Sequence, residues 1–200
     1  MNRVARYKVG YLLALGVIGA GSALLIRTLG GGIGALFIVM ILLIIPGRVQ
    51  GVYFRPFFRG RRLLNAGQSA AALTYFEEFL RILRADPWRK RLLWLSWSVY
   101  TPNAEAMTLN NLGVAHLACG SPTDAETAFR QALELDPDYP LPHFNLAVIA
   151  MMCGQRETAE RALSEARRLG YNAGRMDAVI HRAQSFLARI EGRGVANQHQ

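Results

Sequence analysis

The 200-residue chain is poor in cysteine, in charge overall, and in acidic residues over its first third. Two cysteines exclude a small scaffold held together by several disulfides. Charged residues make up 18% of the sequence, below the ~25% of an average soluble domain. A hydrophobic share of 52% excludes a disordered or collagen-like chain. The length suits one compact domain with a small extension.

Acidic residues are absent from the first 76 positions, since the earliest is Glu77. The whole net charge of +9 arises in that segment, because the residues after it carry equal numbers of acidic and basic side chains. Such a distribution is typical of membrane topology and contact with anionic lipid, and it disfavours nucleic-acid binding. The basic residues that we expect to flank a membrane are Arg3, Arg6, Lys8, Arg48, Arg55, Arg59, Arg61 and Arg62.

One long hydrophobic segment, residues 9–45, contains a single charged residue, Arg27. Val9–Ile26 and Leu29–Ile45 each approach the ~20 residues with which a helix crosses a bilayer. The glycines between them permit a tight turn. A cleaved signal peptide and a buried hairpin of a globular core are the two alternatives for this segment.

We predict a basic tail over residues 1–8 and a transmembrane helical hairpin over 9–49, with spans at about 9–27 and 33–49. Basic residues before and after the hairpin place both termini, and everything that follows the hairpin, in the cytoplasm. The chain is therefore predicted to be a multi-pass membrane protein.

Two segments of the chain are related by a shift of 34 residues, which aligns Cys119-Gly120 with Cys153-Gly154. The aligned pairs are Asn111-Leu112-Gly113 with Asn145-Leu146-Ala147, Ala125 with Ala159, Phe129 with Leu163, and Ala132 with Ala166. Small residues in this pattern let two helices approach, and the glycines suit helix C-termini. A period of 34 in two helices is the spacing of the tetratricopeptide repeat. Residues 106–139 resemble one such repeat and residues 140–173 resemble a second.

Residues outside the two repeats extend the helical pattern. We predict a degenerate repeat-like helix pair over 50–87, a tryptophan-rich insertion over 88–105, a capping helix over 174–191 and a disordered tail over 192–200. The insertion is either an interfacial segment on lipid headgroups or an elongated first helix packed on the degenerate pair, and we favour the helix.

The combination of basic tail, hydrophobic hairpin and short repeat array resembles uncharacterised bacterial inner-membrane proteins of the tetratricopeptide-repeat family. The resemblance implies an all-α fold, in which a two-helix transmembrane hairpin precedes a short α-solenoid with a C-terminal capping helix. It also implies a bacterial inner-membrane location with the repeats on the cytoplasmic side.

In this family the first helix of each pair lines a concave groove that binds protein partners. The resemblance assigns to this groove Met107, Asn110, Asn111, Val114, Leu117, Leu141, Phe144, Asn145, Val148, Met151 and Met152. Methionines and aliphatic residues favour an apolar helix or extended segment as the occupant, and the absence of a cation disfavours capture of a carboxylate. The alternative is that the chain's own residues, such as Trp88–Tyr100, cover the groove.

No catalytic, cofactor or metal-binding arrangement emerges from the sequence. His116 and Cys119 lie three residues apart on one predicted helix. The resemblance gives His116 a packing position of the repeat, and Cys119 recurs at Cys153, so we expect a structural core role for His116 and Cys119. We therefore expect no enzymatic activity. The leading hypothesis is a membrane-anchored protein-interaction module that acts as adaptor or scaffold. The alternative is a structural or assembly subunit of a membrane complex, with the glycine-rich hairpin as its main interface. Self-association is compatible with both hypotheses.

Overall fold

A computed structural model describes residues 3–28, 30, 33–90, 100–171 and 175–197. Within these ranges the chain forms nine α-helices and no strand, which confirms the all-α fold class. The helices are α1 Arg3–Thr28, α2 Ile33–Tyr53, α3 Arg55–Asn65, α4 Ser69–Ala85, α5 Ala104–Cys119, α6 Pro122–Leu135, α7 Pro140–Met152, α8 Arg156–Arg168 and α9 Met176–Asn197.

The hydrophobic N-terminal segment forms two helices, α1 and α2, that contact each other. The break between them coincides with the predicted turn after Arg27, and α2 continues past the predicted boundary at residue 49 to Tyr53. Among the residues described here, no helix combines the length and the hydropathy required to cross a membrane. The helical pair is thus observed, whereas the predicted membrane spans have no support from the structure.

Helices α3 and α4 form the first of three helix pairs. Their interface is aromatic, because Phe54 and Phe57 pack on Phe76 and Phe79 with ring centroids 5.0–5.9 Å apart. All four rings are buried. Gly60 makes the close approach possible, since a Cβ built there would lie 2.8 Å from the Phe76 ring. The same arrangement recurs in the next pair, where Gly113 of α5 faces Phe129 of α6.

Local sequence signals set the ends of the repeat helices. Gly120 ends α5 in the left-handed region at φ 85°, and Gly154 follows α7 at φ 73°, as their alignment in the sequence predicts. Pro122 is the first residue of α6, and that helix ends just before Asp136. Asn103 caps α5 by accepting hydrogen bonds from the backbone N–H groups of the second and third helical residues.

In its described parts, residues 86–90 and 100–103, the connection between α4 and α5 is not the elongated α-helix that we favoured. Residues 87–90 form a short 3₁₀ turn, and α5 begins only at Ala104. Trp88 is about half exposed and packs edge-on against Tyr53 at the end of α2, with ring centroids 5.1 Å apart. Arg89 lies over both rings. Trp94 and Trp97 lie outside the described residues.

Helix α9 packs mainly on α7 and also contacts α5. Its buried residues Val179, Ala183 and Phe186 share one core cluster with residues of α5 and α7. The helix continues to Asn197, so the prediction of a disordered tail from residue 192 is wrong for residues 192–197. Residues 198–200 of that predicted tail lie outside the described part of the chain.

Candidate binding groove

The floor of the candidate groove is formed by α5 and α7, the first helices of the second and third pairs. An ionic cluster holds the start of α5 in place: Glu105 accepts hydrogen bonds from Arg84 Nε at 2.7 Å and Lys90 Nζ at 2.6 Å. Burial disfavours the charged form of Glu105, but the two cationic partners outweigh it and lower the pKa of this carboxyl. The cluster joins α4, the 3₁₀ turn and α5.

An open cavity of about 210 Å³ lies on this floor. Six of the eleven predicted groove residues line it: Asn110, Asn111, Val114, Leu141, Phe144 and Asn145. The two helices are joined at this point, because Asn145 Nδ2 donates a buried hydrogen bond of 2.9 Å to Asn110 Oδ1. The structure therefore brings these six residues together across two repeats.

The other five predicted groove residues do not line this cavity. Leu117 and Val148 are fully buried in the core cluster that also contains the apolar face of α9. Met151 and Met152 are half-buried against that cluster, and Met107 is half-buried against the core around α3 and α4. The predicted groove residues therefore do not form one open surface, because Leu117, Val148, Met151 and Met152 lie in or against the core cluster that contains α9, whereas Met107 lies against the core around α3 and α4.

Two arginines that the sequence interpretation did not assign to the groove line the open cavity. Arg61 comes from α3 and Arg182 from α9. The set of residues that we assigned to the groove contains no cation, whereas the cavity itself is lined by Arg61 and Arg182. Arg61 thus belongs to the cavity as well as to the basic residues after the hairpin. Arg48, Arg55, Arg59 and Arg62 are exposed elsewhere. The side chains of Arg3, Arg6 and Lys8 lie outside the described residues.

A signal for Arg61 was present in the sequence. Gly60 and Gly113 occupy the same position in their helix pairs, since each faces a phenylalanine 16 residues later. This equivalence places Arg61 at the position of Val114, which was assigned to the groove. No comparable signal exists for Arg182, because α9 has no counterpart in the repeats.

A second cavity, of about 490 Å³, adjoins the first, since Phe144, Tyr171 and Arg182 line both. Its remaining lining comes from α9, including His181, Phe186 and Arg189. The Tyr171 ring lies 4.9 Å from that of Phe144, centroid to centroid, and burial raises the pKa of its hydroxyl. We call the two adjoining cavities the trough.

The segment Trp88–Tyr100, the alternative occupant of the groove, is described only at its two ends. Tyr100 contacts the edge of the trough, with its ring centroid 6.0 Å from that of Tyr171. Trp88 lies at the end of α2 instead. Residues 91–99 are outside the described ranges. Among the described residues, α9 packs on both helices that form the groove floor, α7 and α5.

Candidate chemical groups elsewhere are dispersed. His116 Nδ1 lies 4.0 Å from an Asp124 carboxylate oxygen, and Cys119 is half-buried. Cys153, the counterpart of Cys119 in the next repeat, is exposed. Within the described ranges, no three histidine, cysteine or acidic side chains come together as metal ligands.

Comparison with known families supports the repeat assignment. Models of the tetratricopeptide repeat match residues 106–139, which contain most of α5 and all of α6, and residues 128–161, which run from α6 into α8. No curated protein matches the chain. Residues 106–161 thus form tetratricopeptide repeats, a repeat type that generally mediates binding of protein partners.

Proposed function

We propose that this chain is an adaptor that binds a segment of a partner protein in the trough, and that its N-terminal hairpin attaches it to a membrane. The observation that carries the first part is the open cavity formed jointly by α3, α5, α7 and α9. It is concave and combines apolar walls with a few amide and guanidinium groups, as protein-binding and ligand-binding sites usually do. The proposal gives the chain no enzymatic role.

The exposed groups of the trough suit a peptide backbone. Asn111 is half-buried, and its Nδ2 donates a hydrogen bond of 2.8 Å to the Met107 carbonyl oxygen. The amide oxygen of Asn111 is therefore available as an acceptor. Leu141 and Val114 are half-buried beside it and offer apolar contact. Phe144, by contrast, is almost fully buried against Tyr171, so its replacement by a charged residue tests folding rather than binding.

Site-specific photo-crosslinking in the full-length protein tests the trough. A benzophenone amino acid at half-buried Val114 is expected to form one adduct of discrete mass with a partner in native membranes. The same amino acid at Thr127, exposed on α6, is the matched control and is expected to form none. Equal adducts at both positions, or none at Val114, would contradict binding in the trough.

For the hairpin, we propose that α1 and α2 embed their apolar surfaces in a membrane. Both helices expose large apolar side chains, with Leu13 and Val17 of α1 and Ile33 of α2 more than two-thirds exposed. Exposed apolar surface on this scale marks an interaction site. The basic residues on either side favour an anionic leaflet. They support our proposal that both ends of the hairpin face the cytoplasm, at a bacterial inner membrane.

Membrane fractionation and labelling of a native thiol test this second part. The full-length protein is expected to stay with membranes after alkaline carbonate extraction, whereas the double variant Leu13→Arg, Ile41→Arg is released. Cys153 is exposed and reports the side on which the repeats lie. A membrane-impermeant maleimide should label it only after the cells are opened. Release of the wild-type protein, or labelling in intact cells, would refute the membrane location or the orientation.

The alternative proposal is a structural or assembly subunit in which the hairpin is the main interface. A specific observation supports it: a Cβ built at Gly10, Gly16, Gly19 or Gly21 of α1 meets nothing within 4 Å. Open glycines allow a partner helix to approach closely. Replacing the hairpin by an unrelated membrane anchor separates the two proposals, since an adaptor keeps its partner after the exchange and a structural subunit loses it.

A further inference from the structure

The trough collects positive charge without a matching acid. Arg61, Arg182 and Arg189 line it, together with His181, and no aspartate or glutamate is among the lining residues. None of the three arginines forms an ion pair with a carboxylate in the described part of the chain. Some arginines of the repeats, by contrast, pair with a carboxylate one helical turn away, as in Arg130–Glu126 and Arg156–Glu160.

The three cations come from outside the two matched repeats and are brought together by α9. Arg182 and Arg189 are seven residues apart, two helical turns, and therefore lie on one face of α9. Their guanidinium carbons lie 5.8 Å and 5.9 Å from the Phe186 ring centroid, on either side of the residue that anchors α9 in the core. Arg61 extends this line of charge across to α3.

We propose that the trough binds acidic side chains of a partner segment, with Arg61, Arg182 and Arg189 as the residues that select for them. This inference rests on the proposed function of the same groove and names the chemistry of its partner. Guanidinium groups pair with carboxylates in a planar two-point geometry. Beside them, Asn145 Nδ2 donates to Asn110 Oδ1, and the other amide atom of each side chain, Asn110 Nδ2 and Asn145 Oδ1, takes no part in that bond. These two atoms can pair with the segment's backbone.

Binding of a defined peptide to the full-length protein, reconstituted in nanodiscs of neutral phosphatidylcholine, tests the proposal. The probe is a fluorescent 12-residue peptide of alternating glutamate and leucine with an amidated C-terminus, and its partner probe has glutamine in place of every glutamate. We expect the acidic peptide to bind at least tenfold more tightly and to weaken as salt is raised. Amidation removes the terminal carboxylate, so binding reports side-chain carboxylates alone.

Variants of single arginines locate the site. Arg61→Gln, Arg182→Gln and Arg189→Gln should each weaken binding of the acidic peptide by about fivefold, the effect of one accessible ion pair. Arg62→Gln changes the net charge identically but lies outside the trough, so it should leave affinity within about twofold. Because Arg61, Arg182 and Arg189 are exposed, unchanged thermal unfolding is expected and verifies that the variants fold.

Four results would overturn the proposal. The first two are equal affinity for both peptides and an equal loss of affinity in Arg62→Gln and Arg61→Gln. The third is binding that requires a free C-terminal carboxylate on the peptide. The fourth is binding of phosphatidylglycerol vesicles that depends on these arginines, while the acidic peptide does not bind. The last result would assign the trough to lipid headgroups. A discrete crosslink at Val114 together with any of the first three would retain the adaptor function and reject only the acidic partner.

Discussion

The contact between Gly113 and Phe129 allows a quantitative test of how the repeats pack. A Cβ at residue 113 would lie 2.5 Å from Phe129 Cε1, and the ring is completely buried, so the added methyl group cannot be accommodated without a shift of the ring or of α5. We therefore expect Gly113→Ala to destabilise the fold, although alanine is the better helix former.

The magnitude follows from two opposing effects. Overpacking a dense core costs about 1–3 kcal/mol, and replacing glycine by alanine within a helix returns about 0.8–1.0 kcal/mol. The expected net loss is therefore about 1 kcal/mol, which for a chain of this size lowers Tm by roughly 2–4 °C. Urea unfolding of the full-length protein, followed by circular dichroism, measures the loss.

The next repeat offers a control, because at the equivalent positions it combines a larger residue in place of the glycine with a smaller one in place of the phenylalanine. Thirty-four residues later, the equivalent positions hold Ala147 and Leu163, both buried. The double variant Gly113→Ala, Phe129→Leu copies that pair, so it should be more stable than the sum of the two single changes predicts, by about 1 kcal/mol. Additivity within about 0.3 kcal/mol, or an alanine variant as stable as the wild type, would refute the steric reasoning.

Three further predictions concern the ends and the anchoring of α5. Asn103→Ala removes the cap of the helix and should cost about 1 kcal/mol in urea unfolding; an unchanged midpoint would contradict the role of the cap. Gly120→Ala places a Cβ at φ 85° and should cost about 1–2 kcal/mol, whereas Gly120→Asn should cost less because asparagine tolerates this region. Glu105 has a lowered pKa, so the stability it contributes is complete above its ordinary pKa of 4.5 and is lost as the pH falls through the lower value of the folded state. Glu105→Gln should lower Tm at pH 7 and flatten the fall of Tm between pH 5 and 3; an equal fall in both proteins would show that the loss has another origin.

Predictions that depended on neighbouring residues in the chain agree well with the structure. Gly120 and Gly154 end their helices in the left-handed region, and Pro122 begins α6, because caps and turns are decided within a few residues. The close approach of α5 and α6 at Gly113 likewise follows from the repeat pattern, which holds a small residue at position 113 and a large one at position 129. The break between α1 and α2 agrees with the prediction as well, because the glycines that permit a turn lie at that point of the sequence.

Predictions that depended on distant partners were less accurate. The resemblance to the repeat family assigns Leu117 and Val148 to a groove that faces a partner, but it does not show that these side chains share a core with α9 instead. We favoured an elongated helix for the insertion before α5, yet residues 100–103 are not helical, and α5 begins only at Ala104 with Asn103 as its cap. Arg61 was assigned to a membrane flank from its position in the chain, although its helix turns it toward the groove.

By itself, the sequence determined the helix pairs of the two repeats with their 34-residue spacing, and the two hydrophobic helices at the N-terminus, because these follow from composition, local caps and repeat spacing. Only the tertiary structure decided which part of the groove stays open and what charge it carries. The apolar residues of α5 and α7 had to be covered, and several segments of the chain were apolar enough to cover them. Because α9 packs there, it both buries the apolar end and brings Arg182 beside Arg61 in the cavity that remains.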